Sequence, residues 1–386
     1  MAESGGPHTT KRLKGELASL QARGQLRNLS SPPGIQLGSN DYLGLSTHPR
    51  LKEAIVRAVQ NDERAGATGS RLLSGNAERW EQLEAEFAEF VGAEAALFFP
   101  SGYAANIGLL SSVLRPGDTV FSDSSNHASL IDGIRLSRAG KVIFPHLNLD
   151  YLEQALQGAA SGGEKFVVVE SVFSMDGDRT PLQELIPLCE RYGAALIVDE
   201  AHTIGVEGAQ GRGMVASAAR SNSVLATVYT CGKALASMGA FVAGSRTLRD
   251  FLINSARTFI FTTALPAYCA AQIREALTLT MEAGSERTRL TELSRHLRRR
   301  LQDAGLSTGR SDSQIIPLVV GSNETALRFA AALERSGFAI RAIRPPTVPP
   351  GTSRLRFSLN AGLSFADMDA LADTIAAVRE TEVVRE

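Results

Sequence analysis

Short apolar runs rich in Val, Ile and Phe recur through the first two thirds of the chain, separated by longer segments with helical spacing. They are "AALFF" (95–99), "TVFS" (119–122), "KVIF" (141–144), "KFVVVES" (165–171), "AALIVDE" (194–200), "VLATVYT" (224–230) and "AFVAG" (240–244). Strand-like runs alternating with helical patterns predict βαβ units and a largely parallel sheet. The intervening helices include "ERWEQLEAEFAEFVG" (78–92), "GYAANIGLLSSVL" (102–114) and "PLQELIPLCERYG" (181–193), the last opened by proline and closed by glycine. The layout predicts a doubly wound α/β fold. From about residue 282 the texture changes to a charged helix followed by "IIPLVV", "ALRFAAALERSG" and "RLRFSL", which predicts a smaller α+β domain. The expected division is an N-terminal arm (1–45), a large domain (46–281) and a small C-terminal domain (282–386).

Composition excludes several function classes. A chain of 386 residues with 44% hydrophobic content can bury a large core. Its net charge of −1 gives no electrostatic footprint for nucleic acid or an anionic membrane. The cluster Arg298, Arg299 and Arg300 sits on an amphipathic helix that also carries acidic residues, the pattern of a solvated face. Cys189, Cys231 and Cys269 are widely spaced without a CxxC pair, which suits buried thiols in a reducing compartment and predicts neither disulfides nor a structural metal. The N-terminal stretch lacks the apolar core of a signal peptide, and no apolar run reaches bilayer-spanning length, so the expected location is the cytoplasm.

In open α/β sheets ligands bind beyond the C-terminal ends of the strands, which makes the residues just past each apolar run informative. Ser101, Gly102 and Tyr103 turn into a helix start, where free N–H groups and the helix dipole favour an anion such as phosphate. His127 stands at a second helix start, Ser174 follows the fourth run, Asp199 lies at the end of the fifth with His202 just past it, and the sixth runs out into Thr230 and Lys233. Lys233 is the only lysine past Lys165 in a chain that otherwise turns to arginine, and it sits among small and apolar residues. Such a lysine either snorkels from a strand end or supplies an amine that can lose its proton. Asp199 could equally cap a turn, and His127 and His202 could be structural histidines. A metal site from Asp199, Glu200, His202 and Glu207 matches no familiar ligand spacing, so no metal is expected. An amine, an acid, aromatic rings and an anion site together are what pyridoxal 5′-phosphate (PLP) requires.

The segments "SNDYLGL" (39–45), "GSRLLSGN" (69–76), "FPSGYAANIGLL" (99–110), "NHASLIDGIRLS" (126–137), "ESVFSMDGD" (170–178), "VDEAH" (198–202), "GVEGAQGRG" (205–213) and "CGKALAS" (231–237) resemble, in order, the signatures of the α-oxoamine synthases. These are fold-type I PLP-dependent transferases, which condense an amino acid with an acyl thioester and release carbon dioxide. The resemblance implies a large domain with a mostly parallel sheet sandwiched by helices, plus a smaller C-terminal α+β domain. The segment "AIRPPTVPPGTSRLRFSLNA" (342–361) is similar to the branch that joins L-alanine to a pimeloyl thioester in biotin synthesis. By motif position, the resemblance implies Lys233 as the lysine that bonds to PLP and moves the substrate proton. It implies Asp199 as partner of the ring nitrogen, His127 stacked on the ring and meeting substrate, and His202 on the ring oxygen. Ser174, Thr230, Gly102 and Tyr103 would add cofactor contacts. Asn40 and Arg356 would hold the amino-acid carboxylate, with Thr347, Arg344 and Arg27 on the acyl side. It further implies a homodimer, with the loop "GATGSRLLSGN" (66–76) reaching the neighbouring subunit's cofactor. Four features depart from the pattern: fewer glycines after Lys233, Glu200 where aspartate is frequent, Tyr103 where phenylalanine is common, and a shorter N-terminal stretch "NLSSPPGIQLGSNDY" (28–42), which bears on the placement of Arg27. Competing expectations are an α-oxoamine synthase using glycine or serine, an ordinary aminotransferase, and a non-catalytic partner subunit of the same fold.

Overall fold

The seven apolar runs fold as the strands of one sheet because its central members are covered by helices on both faces. The computed structural model describes residues 8–29, 33–62, 64–159, 162–218 and 221–383. In chain order the strands are β1 (Ile35–Gln36), β2 (Ala95–Phe99), β3 (Thr119–Asp123), β4 (Gly140–Phe144), β5 (Lys165–Glu170), β6 (Ala194–Asp199), β7 (Val224–Thr230), β8 (Ala240–Gly244), β9 (Ile315–Gly321), β10 (Phe338–Ala339), β11 (Ala342–Ile343) and β12 (Ser353–Ser358). The large sheet has the order β2-β8-β7-β6-β5-β3-β4. Strands β4, β3, β5, β6 and β7 pair in parallel, and only β8 runs against its neighbours. The mostly parallel sheet expected from the sequence is therefore present, with all seven strands.

Strand alternation divides the core in two. Phe166, Val168 and Ile197 pack with Leu109, Leu110 and Ile134 on one face, and Val167, Val169, Leu196 and Val198 pack with Leu152, Leu185 and Ile186 on the other. Each fully buried side chain of this size contributes roughly 1.5–3 kcal/mol, so the helices Gly102–Val113 and Leu182–Arg191 are held mainly by what they bury. An aromatic stack reinforces the β2–β8 end: Phe87 lies 4.0 Å from Phe241, and Trp80 lies 4.4 Å from Phe98. The parallel arrangement sends the C-terminal residues Asp123, Glu170, Asp199 and Thr230 to one edge of the sheet, with Glu170 and Asp199 directly paired in register.

By compactness the chain divides into one unit of residues 40–291 and 360–362, which contains the large sheet, and one of residues 1–39, 292–359 and 363–386. The second unit has an antiparallel sheet in the order β11-β12-β9, with the helices Asn323–Arg335 and Phe365–Val383. It also contains a two-residue parallel pair, Ile35 with Phe338 and Gln36 with Ala339, which ties the N-terminal segment to this unit. Gly34 (φ +108°) makes that approach possible, because a Cβ there would lie 2.1 Å from the Gly337 carbonyl oxygen.

Candidate active site

The ends of β5, β6 and β7 and the helix starts beside them line a cavity of about 370 Å³, within the range of small-molecule sites. Asn40, Gly102, Tyr103, His127, Asp199, His202, Thr230 and Lys233, named separately from the sequence, all line it. A larger cavity of about 590 Å³ is lined by residues such as Glu94, Glu190, Arg212 and Val224, without a lysine or histidine. The lysine, the two histidines and Asp199 therefore meet at the smaller one.

Lys233 stands three residues past β7 on a loop closed by backbone bonds from Cys231 N to Gly239 O (2.9 Å) and from Ser237 N to Cys231 O (2.8 Å). The loop is tight enough to hold Ala236 at φ +44°, and it leaves Lys233 half-buried. Asp199, 5% exposed, accepts from Ala201 N (2.9 Å) through Oδ1 and from Asn106 Nδ2 (2.7 Å) through Oδ2. The first contact is the turn cap that its position suggests. The second comes from the helix Gly102–Val113 and fixes the carboxylate plane.

His127 caps the helix Ala128–Ser137, its Nδ1 accepting from Ser129 N (3.2 Å) and lying 2.8 Å from Ser129 Oγ. Burial lowers its pKa, outweighing the opposing pull of Asp199, and the Lys233 charge lowers it further. A neutral ring with Nδ1 accepting carries its proton on Nε2. The Tyr103 ring stands edge-on to His127 with centroids 6.5 Å apart, and its hydroxyl donates to Asp132. His202, 4% exposed, has Nδ1 2.6 Å from Tyr42 Oη, which in turn donates to Asn40 Oδ1 (3.0 Å).

Ser101 caps its helix by accepting from Ala104 N (3.1 Å), which leaves the N–H groups of Gly102 and Tyr103 without an intrahelical acceptor. Only glycine fits at residue 102, since a Cβ would lie 2.6 Å from Thr230 Cγ2. Ser174 is buried, and its backbone N–H donates to Glu170 Oε2 (3.2 Å); it is not part of the cavity lining. The remaining predicted residues belong to the other unit. There Arg27 Nη2 donates to Thr347 Oγ1 (3.3 Å), Arg344 donates to the Gly24 and Leu26 carbonyls, and Arg356, 8% exposed, donates to Ser358 Oγ (2.7 Å).

Sequence reasoning missed Tyr42, Asn106, Ser129 and Glu170. Asn106 carried a signal, being an amide on the face of its helix that also presents Ala105, Leu109 and Leu110 to the core. Glu170 carried another, since a carboxylate ends an otherwise apolar strand.

A family model described as aminotransferase class I and II matches residues 32–375. An 8-amino-7-oxononanoate synthase of Chromobacterium violaceum is 45% identical over 371 residues, spanning 92% of this chain and 96% of its own. A serine palmitoyltransferase from S. paucimobilis, solved with bound PLP–myriocin aldimine, superposes with a TM-score of 0.88 at 28% identity, covering 97% of this chain and 98% of that one. The crystal structure of 8-amino-7-oxononanoate synthase from Francisella tularensis superposes with a TM-score of 0.78 at 30% identity, covering 91% and 99%.

Proposed function

The chain belongs to the aminotransferase class I and II family, in its α-oxoamine synthase branch and with the fold-type I architecture, and from that premise we propose that it is a PLP-dependent 8-amino-7-oxononanoate synthase. It would condense L-alanine with a pimeloyl thioester, on coenzyme A or a carrier protein, releasing carbon dioxide and the thiol, in biotin synthesis. The observation that carries this reading is the convergence of Lys233, Asp199, His127 and His202 on one cavity beside a helix start with free N–H groups. The lining suits PLP on physical grounds. Two of its buried side-chain oxygens, Glu170 Oε1 and Asn106 Oδ1, have no hydrogen-bond partner, as expected of a pocket built around a polar ligand. Glycine at residue 102 lets backbone amides approach a phosphate, and Asp199 presents a carboxylate to a basic ring nitrogen.

Bound there, PLP supplies an electron sink for the carbanion formed at the alanine Cα. Asp199 would keep the proton on the ring nitrogen by opposite-charge stabilisation. His127 and Ala201 line the cavity and would flank the ring, and His202, braced by Tyr42, would bond the ring oxygen. Lys233, as a free amine once alanine is bound, would take the Cα proton. His127 Nε2–H donates to the thioester carbonyl oxygen as negative charge develops there. After carbon dioxide leaves, Lys233 returns a proton to the product carbon. The active unit would be a homodimer, and the three described cysteines of each chain, all free and buried, suit a cytoplasmic location.

A second reading, a serine-using condensation with a long acyl thioester, draws support from the higher TM-score of the palmitoyltransferase structure. Sequence identity favours the first. Incubating the PLP-loaded protein with alanine or serine and with pimeloyl or palmitoyl thioesters, with mass detection of products, decides between them. Formation of 8-amino-7-oxononanoate as the dominant product is expected; a dominant serine–palmitoyl product overturns the assignment.

A further inference from the structure

Glu170 is the one carboxyl in the cavity that the roles above leave unused. It ends β5 opposite Asp199, is 3% exposed, and lines the cavity from within its wall. Its two oxygens have different surroundings. Oε2 accepts from Ser174 N (3.2 Å), whereas Oε1 is buried and has no hydrogen-bond partner. A carboxylate in that position would leave one full set of lone pairs unsatisfied next to a second carboxylate, an arrangement that costs more than holding a proton.

We propose that Glu170 is a ligand-binding residue of this cavity that acts as a neutral carboxylic acid, its Oε1–H donating a hydrogen bond to an acceptor atom of a phosphorylated pyridine ligand. The proposal rests on the PLP reading of the site. It gives the cavity two carboxyl groups with opposite roles: Asp199 accepts from the ring and Glu170 donates to the ligand. Burial, reinforced by the charge of Asp199, raises the Glu170 pKa to about 8, against the opposing influence of Lys233 and of the Ser174 N–H group. At neutral pH the donor is thus in place. As pH rises through that value the proton leaves to solvent, and a carboxylate then faces the same acceptor atom.

The other titratable groups around Glu170 are known. Asp199 lies on the paired strand β6, Lys233 follows β7, and His127 precedes the helix at Ala128. His202 and Tyr103 also line the cavity. On the neighbouring strand β3, Asp123 is occupied by His146, as is Asp178 on the loop after β5. All of these are retained in a Glu170→Gln variant. Gln also keeps a carbonyl oxygen for Ser174 N and offers an amide donor in place of Oε1–H, so it isolates the titration from the bracing of the loop.

The test is calorimetric titration of the full chain, stripped of cofactor, with pyridoxine 5′-phosphate, which lacks the aldehyde and cannot bond to Lys233. Binding is measured at pH 7, 8 and 9, and in two buffers of different ionisation enthalpy to count protons. Wild-type affinity is expected to fall about tenfold more than that of Glu170→Gln between pH 7 and pH 9, with proton uptake on binding at pH 9 that the variant lacks. Glu170→Ala is expected to bind about tenfold more weakly at pH 7, while Glu170→Gln stays within about threefold of wild type. Identical pH profiles and proton counts for wild type and Glu170→Gln would overturn the donor role and leave the PLP reading standing. Failure of the wild-type chain to bind the probe at any pH would overturn both.

Discussion

Asp199 makes two hydrogen bonds at once. Its contact with Ala201 N is what any aspartate at a strand end makes, while its contact with Asn106 Nδ2 turns the second oxygen into a fixed acceptor at the cavity. The sequence offered both readings, turn cap and ligand partner, and could not show that they are compatible, because Asn106 is 93 residues away in the chain. The same holds for the Tyr42–His202 contact, 160 residues apart. Residues that line the cavity were therefore legible where a strand run ended, and their supporting hydrogen bonds were not. Exchanging Asp199 for Asn keeps an acceptor for Ala201 N, so the fold is expected to survive with a melting temperature near wild type. An amide cannot hold the ring-nitrogen proton, and turnover should fall by about 10²-fold or more. Stopped-flow measurement of alanine Cα–deuterium loss checks this; exchange at the wild-type rate in Asp199→Asn would remove Asp199 from the mechanism.

Among the elements, the strands were legible and the loops that join their ends were less so. Continuous apolar runs mark strands covered on both faces, a signal carried by the residues of each strand alone. The two-residue pairing of β1 with β10 has no such signal, since each strand is shorter than any period. Nor did the sequence reveal the clamp that holds two of the site's loops together. His146, just past β4, donates from Nδ1 to Asp123 (2.8 Å) at the end of β3 and from Nε2 to Asp178 (2.9 Å) on the loop after β5. Burial alone would lower its pKa, but hydrogen bonds and charge from both aspartates prevail and raise it to about 10. Asp123 precedes His127 by four residues and Asp178 follows Ser174 by four, so the clamp sets the spacing of both. His146→Leu leaves two aspartates facing each other without a cation and should cost about 3 kcal/mol or more. Because the native pKa lies above the unfolded value near 6.5, the stabilisation is complete below about pH 6.5 and disappears as pH rises through about 10. Urea unfolding of both proteins should show a gap that is widest near pH 6 and narrows in alkali. A gap independent of pH would mean that His146 acts only by filling space.

For the whole molecule, composition pointed to a globular chain, the alternation of apolar runs with helical segments to an α/β fold, and the order of its motifs to a family; assembly is the least legible property because one chain's sequence does not say where a second copy would sit. One surface feature does support a dimer. The loop carrying Gly69 and Ser70 bonds to the segment at Thr263 and Ala264, and around it Leu72, Leu73 and Phe261 are 49%, 82% and 69% exposed. Apolar side chains so grouped are characteristic of an interface. Light scattering should give twice the 41.1 kDa chain mass, and Leu73→Lys combined with Phe261→Lys should shift it toward a single chain with loss of cofactor retention. A wild-type monomer with full activity would exclude the dimer. The account as a whole depends on one amine. Loading the protein with PLP, reducing with borohydride and mapping the modified peptides tests that dependence most directly: the label is expected on Lys233, with none in Lys233→Ala, and a label on Lys165 or Lys141 instead would contradict it.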